Sequence, residues 1–197
     1  MVEFTKSGKL HGGDFLRSSW LNDQSMQHVL AALMPTNRLV MRCCLSSGLR
    51  VSDVLEMRTS RLTRRMTIRE RKTGKSRRVT WPASIYEDLQ AQAGRYWVFE
   101  GRTDPKKHRT RQTVYKDVRR AAAAFRRAGS VPKDAVVSPH SARKIAAVHA
   151  YHDGGLDAAR KLLNHSSDDA EVTLLYALAD HVASAGKGHK NGRKSRV

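Results

Sequence analysis

Apolar residues recur at helical spacing over most of this chain and alternate over one short stretch only. Met26, Val29, Leu30 and Leu33 fall on one face of LNDQSMQHVLAALM, with Asn22 placed to cap that helix. Pro35, Thr36 and Asn37 interrupt the pattern. A second helix is expected through RLVMRCCLSS, stopping near Gly48, and a third follows at once in VSDVLEMR. SIYEDLQAQA reads as a further helix, and YWVFEG as a short strand.

The alternating stretch is 61–81. RMTIRE and SRRVTW are β-prone, and KTGK supplies a glycine-containing turn between them. Met66 and Ile68 should face inward, Thr67 and Arg69 outward, with Lys72 near the tip of a basic hairpin.

QTVYKDVRRAAAAFRRAG is a stronger helix, ended by Gly129. Val114, Val118, Ala121 or Ala122, and Phe125 make its apolar stripe. Lys116, Arg119, Arg120, Arg126 and Arg127 load the rest of its surface. Three more helices are expected: from Pro139, through LDAARKLL, and over about Asp168–Ala179 with Ser166 or Ser167 as cap. The fold class is therefore mainly α with a small antiparallel β-sheet. Residues 1–16 lack periodicity and read as a flexible arm. Residues 17–181 form one domain, and 182–197 a basic tail that is disordered when unbound.

Charge narrows the partner. Thirty-seven Lys and Arg against 18 Asp and Glu give a formal net charge of +19, which calls for a polyanion. Double-stranded DNA leads. A membrane surface fits less well, because the basic residues are not set opposite one apolar stripe. No apolar run approaches the ~20 residues of a membrane span, and MVEFTKSGKLHGGDF lacks a signal-peptide core. Cys43 and Cys44 are adjacent, without zinc-ligand spacing, and read as core residues in a reducing cytoplasm. No metal site and no cofactor are expected.

A set of separated polar residues has chemistry of its own. Arg50 lies in SSGLRVSDVLEMR and Lys72 in RERKTGKSRR. His140 and Arg143 share SPHSARK, His165 lies in LLNHSS, and Tyr176 ends EVTLLY. Two guanidinium forks suit the non-bridging oxygens of a phosphodiester. Asp53, one turn beyond Arg50, is positioned to orient it. His140 and Arg143, at i and i+3, share a helix face just after Ser138-Pro139. Histidine can donate to a phosphate oxygen or take up a proton. Tyr176 can act as nucleophile if a positive field activates it. A hairpin lysine can protonate a leaving oxygen.

Taken singly, each of these residues has a plain alternative as a solvated or core side chain. Their order is more telling, because it resembles the catalytic domain of the tyrosine recombinases, the phage-integrase family. SGLRVSDVLEMR resembles the first arginine box, RKTGKSRRV the hairpin box, SPHSARK the HxxR box, and LLNHSS the next histidine box, with Tyr176 as the late tyrosine. The resemblance covers roughly 20–180. It implies the DNA breaking-rejoining enzyme fold, with Arg50, Lys72, His140, Arg143, His165 and Tyr176 as catalytic residues and Asp53 in support. It implies strand cleavage and rejoining through a 3′-phosphotyrosyl link, without ATP or metal, within a homo-tetramer on DNA. Accessory DNA-bending proteins and a nucleoid-associated, bacterial or phage-encoded cytoplasmic location follow from it. Lys75 and the basic residues of 112–128 would then contact DNA.

Three positions depart from the family pattern. Lys144 replaces a histidine, Asn164 stands where glycine is common, and the interval from His165 to Tyr176 is longer than usual. The short layout resembles the fimbrial phase-variation invertases, and an excised domain of a longer integrase fits as well. Two alternatives remain at this stage: DNA relaxation of the type IB topoisomerase kind, and a non-catalytic DNA-binding protein derived from a recombinase.

Overall fold

The computed structural model describes residue 19 and residues 21–164. The arm, His165, Tyr176, the helix expected over 168–179 and the basic tail lie outside these residues.

Six helices and one hairpin follow each other. They are α1 (Asp23–Ala31), α2 (Pro35–Ser47), α3 (Val51–Leu55), a 3-10 turn (Thr59–Arg61), β1 (Arg65–Arg69), β2 (Ser76–Thr80), α4 (Ala83–Gln92), α5 (Arg111–Arg127) and α6 (Pro139–Leu163). Asn22 caps α1 as expected, accepting from the Ser25 backbone N–H at 2.8 Å, a bond of a kind that contributes about 1 kcal/mol. Pro35 does not break a helix but opens one. It occupies the first turn of α2, where a missing N–H costs nothing.

Helix α2 is the axle of the domain and packs against all five other helices. Its Val40, Cys43 and Cys44 are fully buried, in one core with Leu49, Val54, Trp81, Leu89, Phe99, Val114, Val118 and Ile145. Both cysteines are free thiols, as expected of core residues. Burial pushes the Cys44 thiol up to about 12, with the Asp53 carboxylate adding to the shift. The α5 stripe is buried at Val114, Val118, Ala121 and Ala122, while Phe125 is half-buried and stacks on His28.

The hairpin has the expected register and facing. Arg65 pairs with Thr80, Met66 with Val79 and Ile68 with Arg77. Met66 and Ile68 are buried, Thr67 and Arg69 exposed. The strand expected at YWVFEG is absent. Trp97 and Glu100 make single bridges, to Arg58 and His108. The chain bends here because the Glu100 carboxylate turns back to accept from the Tyr96 N–H at 2.9 Å, filling the space a side chain on Gly94 would need.

Helix α6 begins at Pro139 with a capping box between Ser138 and Ser141. It is interrupted at Gly154 and Gly155, so LDAARKLL is a separate helical stretch, as expected. Gly155 has φ 69° and ψ −163°, a conformation open essentially to glycine alone. No helix among the described residues is long and apolar enough to cross a membrane.

Candidate functional site

The site forms where the C-terminus of α2, the start of α3, the hairpin turn and both ends of α6 meet. A helix C-terminus leaves its last carbonyls without intrahelical donors and carries partial negative charge. Two such ends face each other here, and two arginines answer them. Arg143 donates to the Gly48 carbonyl and, at 2.8 Å, to the Leu163 carbonyl. Arg77 donates to the Leu162 carbonyl and, at 2.6 Å, to the Ser47 carbonyl. Each guanidinium thus bolts the end of α2 to the end of α6. Gly48 makes the close approach possible, because its φ is 64° and a Cβ there would lie 3.0 Å from the Leu162 side chain.

Arg50 occupies the N-cap position of α3. Its Nη1 donates to Glu70 Oε2 at 2.5 Å, and 17% of the side chain remains exposed. Glu70 is fully buried at the end of β1. It also accepts from the Thr73 hydroxyl at 3.1 Å and the Asn164 amide at 3.3 Å, and lies 3.6 Å from Arg77 Nε. Burial pushes the Glu70 carboxyl up, but Arg50, Arg143 and Arg77 outweigh it and hold it below the usual carboxylate range.

The Asp53 arrangement differs from the expectation that it orients Arg50. Asp53 Oδ1 accepts from the Arg71 backbone N–H at 3.0 Å, so it anchors the hairpin turn, while Glu70 is the acid paired with Arg50. Asp53 Oδ2 is buried without a hydrogen-bond partner among the described residues. Burial raises the Asp53 carboxyl, and nearby Glu70 adds to that against the Arg71 hydrogen bond and the Arg50 and Arg143 charges.

His140 is half-buried in the first turn of α6, its backbone N–H bonded to the Ser138 hydroxyl at 3.2 Å. Desolvation lowers its pKa to about 3, reinforced by Arg143, Lys144, Arg50 and Lys72. The imidazole is therefore neutral, and four cations surround it. Burial also holds Lys144 below the usual lysine range. Lys72 and Lys75 are exposed on the turn, which Gly74 closes at φ 68°.

The structure thus brings together Arg50, Lys72, His140 and Arg143, with Asp53 one layer back. His165 and Tyr176 lie outside the described residues. Among the described residues, no cluster of His, Cys, Asp or Glu could hold a metal ion. Two site residues escaped sequence reasoning: Glu70 and Arg77. The signal was the strand period. Glu70 continues the inward series Met66, Ile68, and Arg77 continues Val79 and Trp81 on the partner strand, so two opposite charges sit on the buried face.

On α5, Lys116, Arg119, Arg120 and Arg127 are exposed. Arg120 is paired with buried Asp117 at 2.7 Å, and Arg126 donates to the Ala135 carbonyl at 2.7 Å. Four of the five cations expected to contact DNA are thus on the surface, Arg120 while paired with Asp117, and Arg126 is half-buried against the Ala135 carbonyl.

Comparison with known proteins adds the following. The chain resembles a lambda integrase fragment (75–356) solved as a dimer bound to a COC′ core site, with a TM-score of 0.68 and 19% identity over 92% of this chain. It resembles the XerA recombinase with a TM-score of 0.65 and 16% identity over 89% of the chain. With the lambda integrase catalytic core the TM-score is 0.62 at 22% identity, covering 78% of this chain and 94% of that one. The chain spans 64% of the first of these proteins and 65% of the second. These likenesses establish the fold. No curated protein sequence matches. The phage integrase family model matches residues 19–180, more than three quarters of the sequence, and the chain belongs to that family.

Proposed function

We propose that the chain is a site-specific DNA recombinase whose strand cleavage passes through a phosphotyrosyl intermediate on Tyr176. The observation that carries this reading is the gathering of Arg50, Arg143, His140 and Lys72 around one small region, the charges of all three cations acting on His140. A phosphodiester entering there meets a guanidinium at the rim, Arg50, and a second one beneath, Arg143.

The steps follow from charge and proton balance. The Tyr176 oxygen attacks the scissile phosphorus as the bond to the 5′-oxygen breaks, and the phenolic proton is lost to solvent or a nearby base. Lys72 donates a proton to the departing 5′-oxygen. Arg50 and Arg143 stabilise the charge that builds on the phosphoryl oxygens, an effect on the order of 10²–10³ in rate for each donor removed. His140, neutral, donates a hydrogen bond rather than a proton. A 5′-hydroxyl from a partner duplex then attacks the phosphotyrosine, restoring the phenol. Bond energy is conserved, so the cycle needs no ATP. Lambda integrase and XerH have each been solved bound to DNA, the former also as a tetramer on a Holliday junction. By analogy this chain works on duplex DNA as a tetramer, with accessory bending proteins, and its domain of 17–181 carries the chemistry.

The test is a nicked suicide duplex carrying a repeat that flanks the coding region. The chain should form a covalent adduct that survives denaturation and vanishes in Tyr176→Phe. If no flanking repeat yields an adduct while the duplex is still bound, the chain is a DNA-binding protein without strand-transfer chemistry.

A further inference from the structure

The carboxylate of Glu70 faces two ways. Oε2 accepts from Arg50 Nη1 at 2.5 Å and from the Thr73 hydroxyl at 3.1 Å. Oε1 accepts from the Asn164 amide at 3.3 Å and faces Arg77 Nε at 3.6 Å. One oxygen therefore serves the start of α3 and the hairpin turn, the other the end of α6. Asn164 is the C-cap of α6 at φ 55°, the single non-glycine residue with positive φ among the described residues. Asparagine tolerates that conformation, but glycine adopts it at lower cost. The amide of Asn164 thus gives something glycine lacks, a donor for Glu70.

A buried carboxylate is retained only where it is well partnered. The pairing with Arg77, at 3.6 Å and with no hydrogen bond from its buried Nε, does not meet that need alone. The hydrogen bonds come from Arg50, Thr73 and Asn164, so the contacts that satisfy Glu70 also tie the start of α3 and the hairpin turn to the end of α6.

We propose that Glu70 is a positioning residue for the strand-transfer site. It fixes the Arg50 guanidinium at the rim, and through Asn164 it holds the chain immediately before His165 in register with Arg50. The inference rests on the recombinase reading, but its first readout does not. Arg50 uses one N–H on Glu70, and its other donors remain for a phosphate.

The test uses the full chain with Glu70→Gln, Asn164→Gly and the double variant. The rate of Arg50 modification by phenylglyoxal, followed by peptide mass spectrometry, reports the Arg50 tie without DNA. It should rise about tenfold in Glu70→Gln, and an unchanged rate overturns the proposal. On the suicide duplex, Glu70→Gln should cleave at least tenfold more slowly while binding DNA at least as tightly, since a negative charge has gone. Asn164→Gly keeps the backbone conformation, so it stays folded even if Glu70→Gln does not. It should cleave severalfold more slowly at unchanged affinity and unchanged melting temperature. The double variant should be no slower than Glu70→Gln, because both changes break one linkage. Wild-type cleavage by Asn164→Gly, multiplying effects in the double variant, or rate losses that track losses of affinity or stability would each overturn the proposal. A wild-type chain that forms no adduct contradicts the recombinase reading instead, and the phenylglyoxal rate still decides the Arg50 tie.

Discussion

The two ends of α2 meet the same physical problem and answer it in different ways. At the N-terminus, orphan N–H groups call for an anion. Asp117, buried on α5, supplies it, accepting from the Met34 N–H at 3.1 Å, the Asn37 amide at 2.7 Å and Arg120 at 2.7 Å. Burial pushes the Asp117 carboxyl up, and those hydrogen bonds bring it below its usual range. At the C-terminus, orphan carbonyls call for cations. Arg77 and Arg143 supply them, and Arg50, Lys72 and Lys144 gather nearby against only two buried acids, Glu70 and Asp53. Arg109 also acts on Asp117, so two cations stand against one acid at the first end, and five against two at the second. The larger surplus lies at the second end, where Arg50 and Lys72 reach solvent, and it suits that end to an anion.

The largest effect should come from comparing the two ends directly. Arg143→Ala and Asp117→Ala each strand buried partners and should each cost about 3–5 kcal/mol in urea unfolding. Arg143→Ala should also abolish adduct formation, by 10²-fold or more per folded molecule. Asp117→Ala should leave that rate within a factor of about three. Equal losses of rate in both variants would erase the distinction between the ends.

The second expectation concerns pH. His140 has a folded pKa near 3 against an ordinary 6.5. Between those values the unfolded chain binds more protons, so His140 makes stability fall as pH drops below about 6.5. Glu70, with its pKa lowered, contributes stability above its ordinary 4.5 that is lost only as pH falls below it. From pH 7 to pH 5 the melting temperature should therefore drop by roughly 5 °C in the wild type and by less in His140→Gln. Identical profiles would mean that burial and the neighbouring cations do not hold His140 neutral.

The smallest effect lies on α5. Arg127→Ala should lower the salt slope of DNA binding by about 1, whereas Arg120→Ala, already paired with Asp117, should change it by less. Equal slopes would show that Arg120 leaves Asp117 to meet DNA.

Much of this layout was legible in the sequence, because it follows from periodicity and caps. The hairpin facing, the α5 stripe, the Pro139 start and the break before LDAARKLL depend on residues within a turn or two of one another. What escaped depends on distant partners. Glu70 and Arg77 acquire meaning only when β1 lies beside β2 and both meet the end of α6. Asp53 was read as the companion of Arg50 because they share a helical turn, yet the hairpin turn claims it. Arg143 was read purely as a phosphate ligand, and its burial under two carbonyls shows a structural task as well. YWVFEG looked like a strand by composition, but the Glu100 side chain folds it back.

The glycine pair of α6 has a mechanical consequence. The stretch from Leu156 to Asn164 is pivoted at Gly154–Gly155 and pinned at its far end by Arg77 and Arg143. A pull on the chain at Asn164 is thus borne first by the two arginine pins, while the pivot spares the first half of α6 from twisting. One of the pins, Arg143, is also a phosphate-facing group of the proposed site. Load on this lever and charge at the site therefore converge on a single side chain.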